Sequence, residues 1–288
     1  MRLTPRNLSW LLKRSLIATF DDGCIGAAKG AAYSALLSFF PVLTSAAAIM
    51  VQTRTQFVSN YLENLLREVV PPGTEDLVVQ QFSVLGERPL GLLIGAGLIS
   101  LWAASGVFKS LMEGFHCAYH VPRERSFFHQ TAVAMGLVLL STVPLACASV
   151  LILFGGTIER VVLGWMKVDP VFNPLAGLWQ WACRVARYII AFAGNASVTA
   201  MLYYIGPNRK QRWRFVWPGA ILATFAWLLA TMGFAWYARN IARYNVMYGS
   251  IGAAIALLVW MYLIALIALV GCEFNAAYER SSSATIPK

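Results

Sequence analysis

The chain has 288 residues, of which 58% are apolar and 12% charged, and its 23 Lys and Arg against 13 Asp and Glu leave a net charge of +10. Soluble domains carry about 25% charge, so a soluble globular protein is excluded, and so rich an apolar content excludes disorder. The 22 Gly and 12 Pro follow no period and the five Cys are sparse, which removes fibrous and disulfide-stapled classes. An integral membrane protein is what remains.

From the N-terminus, residues 7–20 place Leu8, Leu11, Leu12, Leu16 and Ile17 at helical spacing, with Lys13 and Arg14 opposite and Trp10 nearby. This predicts an interfacial helix lying on the bilayer surface. A helix crosses the hydrocarbon with roughly 20 apolar residues, and six windows qualify: 31–51, 90–110, 131–153, 184–205, 216–237 and 250–272. The charged lead before the first window is too long for a signal peptide, so that span is expected to stay uncleaved. Between the first two spans, Phe57, Val58, Tyr61, Leu62, Leu65, Leu66 and Val69 form one apolar stripe, and Pro71-Pro72-Gly73 stops it before a second amphipathic stretch through Leu85. No polar stretch is long enough for a soluble domain. The sequence therefore predicts an all-α polytopic membrane protein: one domain over residues 1–288, with six transmembrane helices and interfacial amphipathic helices.

Orientation follows from the basic residues. With both termini inside, the inner segments hold fourteen Lys and Arg and the outer segments nine, which places N- and C-termini in the cytoplasm. The positive surplus then meets anionic lipid. No folded soluble face gathers basic residues for a nucleic acid, so membrane lipids are the expected partner and nucleic acid is not. A protein partner or an oligomer is left open.

Polar and bent positions within the spans supply the candidate site. Pro41 and Pro144 kink the first and third spans, with Ser38, Thr44 and Ser45 around the first and Ser141 and Thr142 before the second. Such hydroxyls can serve freed carbonyls, or the kinks can open a midplane cavity. Asn195 is the most polar group at mid-depth, suited to interhelical hydrogen bonding. Candidate cavity residues are Tyr33, Ser38, Pro41, Ser105, Asn195, Tyr248 and Glu273. Lys109, Glu113 and Asn275 join Glu273 as a polar cluster at the inner ends of the spans, and Lys109 and Glu113 are spaced to pair. Arg184 and Arg187 share one face at the outer mouth, as snorkelling anchors or an anion site. Gly26, Gly30, Gly91, Gly95, Gly97 and Gly106 are expected to let helices approach closely.

Catalytic signatures are missing. His116 and His120 stand one turn apart but lack the Glu that a zinc-protease helix places beside its first His. Cys24, Cys117, Cys147, Cys183 and Cys272 form no C-x-x-C pair and read as small buried apolar residues. No phosphate loop, nucleophile elbow or dinucleotide fingerprint occurs. No catalytic residue, metal or cofactor is assigned, and the chain is not expected to be an enzyme.

Several patches together resemble the YihY/BrkB family of bacterial inner-membrane proteins. They are Gly30-Ala31-Ala32-Tyr33-Ser34-Ala35-Leu36-Leu37-Ser38-Phe39-Phe40-Pro41; Trp102-Ala103-Ala104-Ser105-Gly106; Tyr119-His120-Val121 with Arg125-Ser126-Phe127-Phe128; Leu202-Tyr203-Tyr204 with Pro207; Trp213-Arg214 with Pro218-Gly219-Ala220; Tyr248-Gly249-Ser250-Ile251-Gly252; Trp260-Met261-Tyr262; and Gly271-Cys272-Glu273-Phe274-Asn275-Ala276. Their order and spacing cover about residues 10–277, with Cys272 where the family pattern has Ala. The resemblance implies a six-helix protein of the inner membrane with both ends cytoplasmic. The family has carried a ribonuclease label (ribonuclease BN), but a phosphodiesterase needs positioned metals or paired acid and base groups, and these residues offer neither. The expected function is transport or translocation of a lipid or other amphiphile; the alternative is a structural or accessory membrane protein without a substrate.

Overall fold

A computed structural model describes residues 5–53, 90–122, 125–165, 175–240 and 250–283. These form seven helices: α1 (Pro5–Asp21), α2 (Cys24–Thr53), α3 (Leu90–Tyr119), α4 (Phe127–Trp165), α5 (Leu175–Ile205), α6 (Trp213–Asn240) and α7 (Ser250–Ser283). Six of them, α2 to α7, are long and apolar enough to cross a bilayer, so the chain is an all-α polytopic membrane protein. The expected amphipathic helices of residues 52–89 fall almost wholly outside the described residues. Each observed helix other than α1 runs past its hydropathy window, because windows measure the hydrocarbon width while intrahelical hydrogen bonds continue through the interface.

Helices adjacent in sequence pack together from α2 through α7, and α7 returns to α2, closing a ring; α7 also reaches across to α3. With six crossings, α2 starts and α7 finishes at one end, here the proximal end. α1 packs on α7 and α2 there. Its buried stripe is Leu11, Ser15 and Thr19. Both hydroxyls donate to α1's own carbonyls, Ser15 Oγ to Leu11 O (2.7 Å) and Thr19 Oγ1 to Ser15 O (2.8 Å). Leu11 thus faces Phe274 and Ala277 of α7 instead of lipid, while Leu8, Leu12, Leu16, Ile17 and Phe20 stay exposed, as a membrane-facing side requires.

The helix ends show how the sequence sets the turns. Gly23, at φ +71°, turns α1 into α2 and takes the left-handed conformation a glycine adopts without strain. α3 ends in a Schellman motif, with Val121 N–H donating to His116 O (3.0 Å) and His120 N–H to Cys117 O (3.0 Å). His120 occupies the left-handed position at φ 52°, where glycine is usual.

Close packing falls on only some of the glycines the spacing suggested, and more tightly on others. A Cβ at Gly26, Gly91, Gly95 or Gly97 would meet nothing within 4 Å, whereas at Gly30 and Gly106 it would touch Ser110 and Ser34 at 3.2 Å. Among the tightest positions are Gly219 of α6, whose Cβ would strike Gly271 O, and Gly271 of α7, whose Cβ would come within 2.5 Å of Tyr203 Oη. Small-residue spacing marks a helix that permits approach; only a partner backbone at that spot uses it.

Overpacking costs about 1–3 kcal/mol, so Gly219→Ala and Gly271→Ala are each expected to lower the thermal unfolding midpoint in detergent. Gly95→Ala should leave it unchanged or slightly raised. Equal effects at all three positions would refute this placement of the contact.

Candidate functional site

Among the described residues, the most heavily buried part is the proximal segment of α7. Residues 271–277 are all buried, and seven consecutive residues cover every face of a helix. α1, α2, α3 and α6 pack around α7, and α5 reaches it through Tyr203, whose Oη donates to Ala268 O (2.6 Å). Phe115 of α3 meets the Tyr203 ring edge-on at 5.5 Å.

Two buried polar residues on this segment face different neighbours. Pro218 interrupts α6 by removing a backbone donor. The Asn275 side chain spans the break: Gly219 N–H donates to its Oδ1 (2.7 Å), and its Nδ2 donates to Val216 O (2.9 Å). Asn275 is 0% exposed, so in this water-free place it supplies the partners that a proline helix needs. Glu273, 1% exposed, faces the opposite way, toward the start of α2. Cys24 Sγ donates to its Oε1 (3.6 Å), and the Asp22 side chain of the α1–α2 turn lies close to it. Asp22 also lies 3.8 Å from His120 Nε2. The cluster ties α2, α3 and α7 together through the turn before α2.

Basic residues close the remaining helix ends. The C-terminal carbonyls of a helix lack intrahelical partners and carry partial negative charge. Arg280 Nη2 of α7 donates to Ala118 O at the end of α3 (2.5 Å). Arg125 Nη2 donates to Ile205 O (2.9 Å), and Gln211 Nε2 donates to Tyr203 O (2.5 Å) and Tyr204 O (3.0 Å), so the end of α5 is capped from the α3–α4 loop and from the loop that follows α5. Burial lowers the pKa of Arg125 from its ordinary value, but a guanidinium remains charged. Arg209 pairs with Glu279 and stacks 4.2 Å above the Tyr119 ring. Arg125, Arg209 and Arg280 therefore act as specific caps and pairs, beyond the orientation signal their charges carry in the sequence. Pro218 before a glycine was the one visible hint of Asn275's task; the capping roles had none, since each partner is a backbone carbonyl distant in sequence.

The other sequence-derived candidates separate. Tyr33 is 62% exposed on α2. Ser38 and Ser105 are buried and bond to their own helices, to Ala35 O (2.9 Å) and Trp102 O (2.6 Å). Pro41 is half-buried; Ser45 Oγ donates to its carbonyl (2.9 Å) and lies 2.8 Å from Ser100 Oγ of α3. Lys109 Nζ lies 5.5 Å from the Phe127 ring centroid, and Glu113 is half-buried. Asn195 is half-buried on α5, while Arg184 is exposed and Arg187 half-buried toward the distal end. Tyr248 lies outside the described residues. Among the described residues, no three His, Cys, Asp or Glu side chains converge in a metal-binding arrangement.

Asn275→Ala would remove both buried hydrogen bonds of the Asn275 side chain and take from Gly219 N–H its side-chain acceptor beside the proline break, at about 1–3 kcal/mol. It is expected to lower the unfolding midpoint more than Asn195→Ala does, as scanning calorimetry in micelles would show. An equal loss at the two positions would remove Asn275 from this role.

Comparison with known proteins agrees with this architecture. The virulence factor BrkB family matches residues 18–288. The ribonuclease-like protein YfkH of Bacillus subtilis is 30% identical over 253 residues, covering 86% of this chain and 88% of that protein. A UPF0761 membrane protein of Alkalilimnicola ehrlichii is 25% identical over 265 residues, covering 91% of this chain and 57% of its own length. One of Vibrio cholerae is 33% identical over 103 residues, or 36% of this chain and 33% of that protein. No solved structure matches the chain. With six apolar helices and a family match over nearly its whole length, the chain belongs to the BrkB family of membrane proteins.

Proposed function

We propose that this protein binds and translocates a lipid or other amphiphile in the bacterial inner membrane, with both termini in the cytoplasm. The observation that carries the reading is the uneven packing of α5. Residues 196, 200, 202 and 203 are buried near the proximal end, but none from 181 to 195 is. Tyr188, Ile189 and Ile190 are each more than half exposed, and three consecutive residues span about 200° of a helix. A helix sealed into a ring buries one face; here residues 183, 187, 191 and 194, which share a face, are only half-buried, so the stretch is open to lipid on one side and loosely packed on the other. The open surface is largely apolar, which suits an acyl chain better than an ion.

Asn195 supports the same reading. It sits where the open stretch meets the buried one, and its amide makes no hydrogen bond among the described residues. A polar group at the floor of an apolar opening favours a molecule with one polar end. The proximal end is closed, pinned by Asn275, Glu273 and the arginine caps, so a passage would have to open away from it. The fourteen basic residues on the proximal side support a cytoplasmic placement of that side. No hydrolytic step is assigned.

The direct test is purified protein in proteoliposomes carrying a fluorescent phospholipid, with quencher added outside. Quenching of the inner-leaflet lipid is expected to exceed that of protein-free vesicles, and Asn195→Trp, which fills the floor, should remove most of the excess. Mass spectrometry of the protein in native-lipid nanodiscs should find a retained lipid that Asn195→Trp loses. Absence of both retention and movement would favour a structural role instead. A reporter fused after Lys288 should read as cytoplasmic; a periplasmic reading would reverse the orientation.

A further inference from the structure

Most described hydroxyls within the spans are satisfied by their own helix. Ser38, Ser45, Ser100, Ser105, Ser141, Thr142, Ser197 and Thr199 each donate to a carbonyl three or four residues back. α6 departs from this pattern. Thr224 Oγ1, Trp227 Nε1 and Thr231 Oγ1 are buried and have no hydrogen-bond partner among the described residues, and Thr224 is 2% exposed. Spaced three and four apart, they form one stripe. Trp213, on the same stripe, stacks on Tyr204 of α5 at 4.2 Å, and Ala223, beside Thr224, meets Gly271 of α7. The stripe therefore faces the interior along the seam of α6 with α5 and α7.

A buried polar atom without a partner is costly and uncommon, and three on one stripe point to a common cause. We propose that Thr224, Trp227 and Thr231 are the polar lining of a passage along α6, closed in this conformation, which holds the uncharged oxygen-bearing neck of an amphiphile as it moves. The proposal rests on the translocation reading and deepens it. Two hydroxyls and an indole N–H can all donate, and no Lys, Arg, Asp or Glu lies on α6 between residues 215 and 237. The matching ligand atoms are neutral acceptors, which in a membrane are the ester carbonyl oxygens at the lipid neck; water offers the same acceptor chemistry. The α5 side of the seam is the stretch without a buried residue, so it can part there without dismantling the proximal end. Opening would give the three groups partners, which the closed seam denies them.

The test compares diester and diether phosphatidylglycerol, which differ in the carbonyl oxygens alone. Delipidated wild-type protein in micelles is offered both, and retained lipid is counted by native mass spectrometry, with translocation measured separately in vesicles of each lipid. The wild type is expected to retain the diester in preference. Thr224→Val and Thr231→Val, nearly equal in volume to threonine, should each reduce that preference by about fivefold, the worth of one neutral hydrogen bond, and should raise the unfolding midpoint by relieving an unpaired hydroxyl. Thr224→Ser should keep the preference, and Trp227→Phe should lose part of it. Equal retention of the two lipids by the wild type would overturn the ligand assignment in favour of water. A raised midpoint with unchanged preference would leave the stripe merely a cost of folding and overturn the proposal. If the preference follows the variants but no lipid moves in vesicles, the stripe stands as a binding site and the translocation reading fails; movement that the valine variants do not alter fails the stripe alone.

Discussion

The structure depends on one constraint: the proximal part of α7 is enclosed on every side, so whatever polar groups it carries must be satisfied by protein. Seven consecutive buried residues leave no face for lipid or water. The segment meets this condition with small residues where backbones touch and with two side chains whose partners come from other helices. Asn275 serves the break at Pro218, and Glu273 serves the turn that launches α2. The two point in different directions from one helix, so α6 and the α1–α2 turn are held to a common axis. A proline break in an isolated membrane helix would leave polar backbone in hydrocarbon; here the break has become an attachment point.

The basic residues around this hub extend the same logic to the helix ends. α3 and α5 both finish at the proximal end, where their free carbonyls would otherwise face the interface unpaired. Arg280, Arg125 and Gln211 reach these carbonyls from neighbouring elements, and Arg209 covers Tyr119 while pairing with Glu279. Charged donors make stronger hydrogen bonds than neutral ones, and partial burial shields them from the screening that weakens surface pairs. Part of the chain's positive surplus thus fastens one end of the bundle.

Legibility in the sequence divided along physical lines. Length, charge and hydropathy located all six crossings, because burial in hydrocarbon acts on each segment separately and leaves its mark in local composition. Pro41 and its hydroxyls were likewise readable, since Ser45 serves a carbonyl four residues away. Asn275 and Glu273 could be singled out as polar residues near a span, but their partners could not, because Gly219 lies 56 residues from Asn275 and Cys24 lies 249 residues from Glu273. Glycine spacing misled for the same reason. Gly91 and Gly95 have the right interval but no neighbour, while Gly219 and Gly271 sit against each other.

The sequence by itself thus determined the class of protein, the number of membrane helices, their approximate limits and the family patches, all of which depend on short-range pattern and on transfer between water and lipid. Only the tertiary structure decided which polar groups are paired, which glycines are crowded, which arginines cap a helix and which hydroxyls on α6 are left without a partner. Those properties belong to pairs of atoms on different helices. In a membrane nearly every helix face is apolar, so composition alone does not distinguish the face that meets protein from the face that meets lipid.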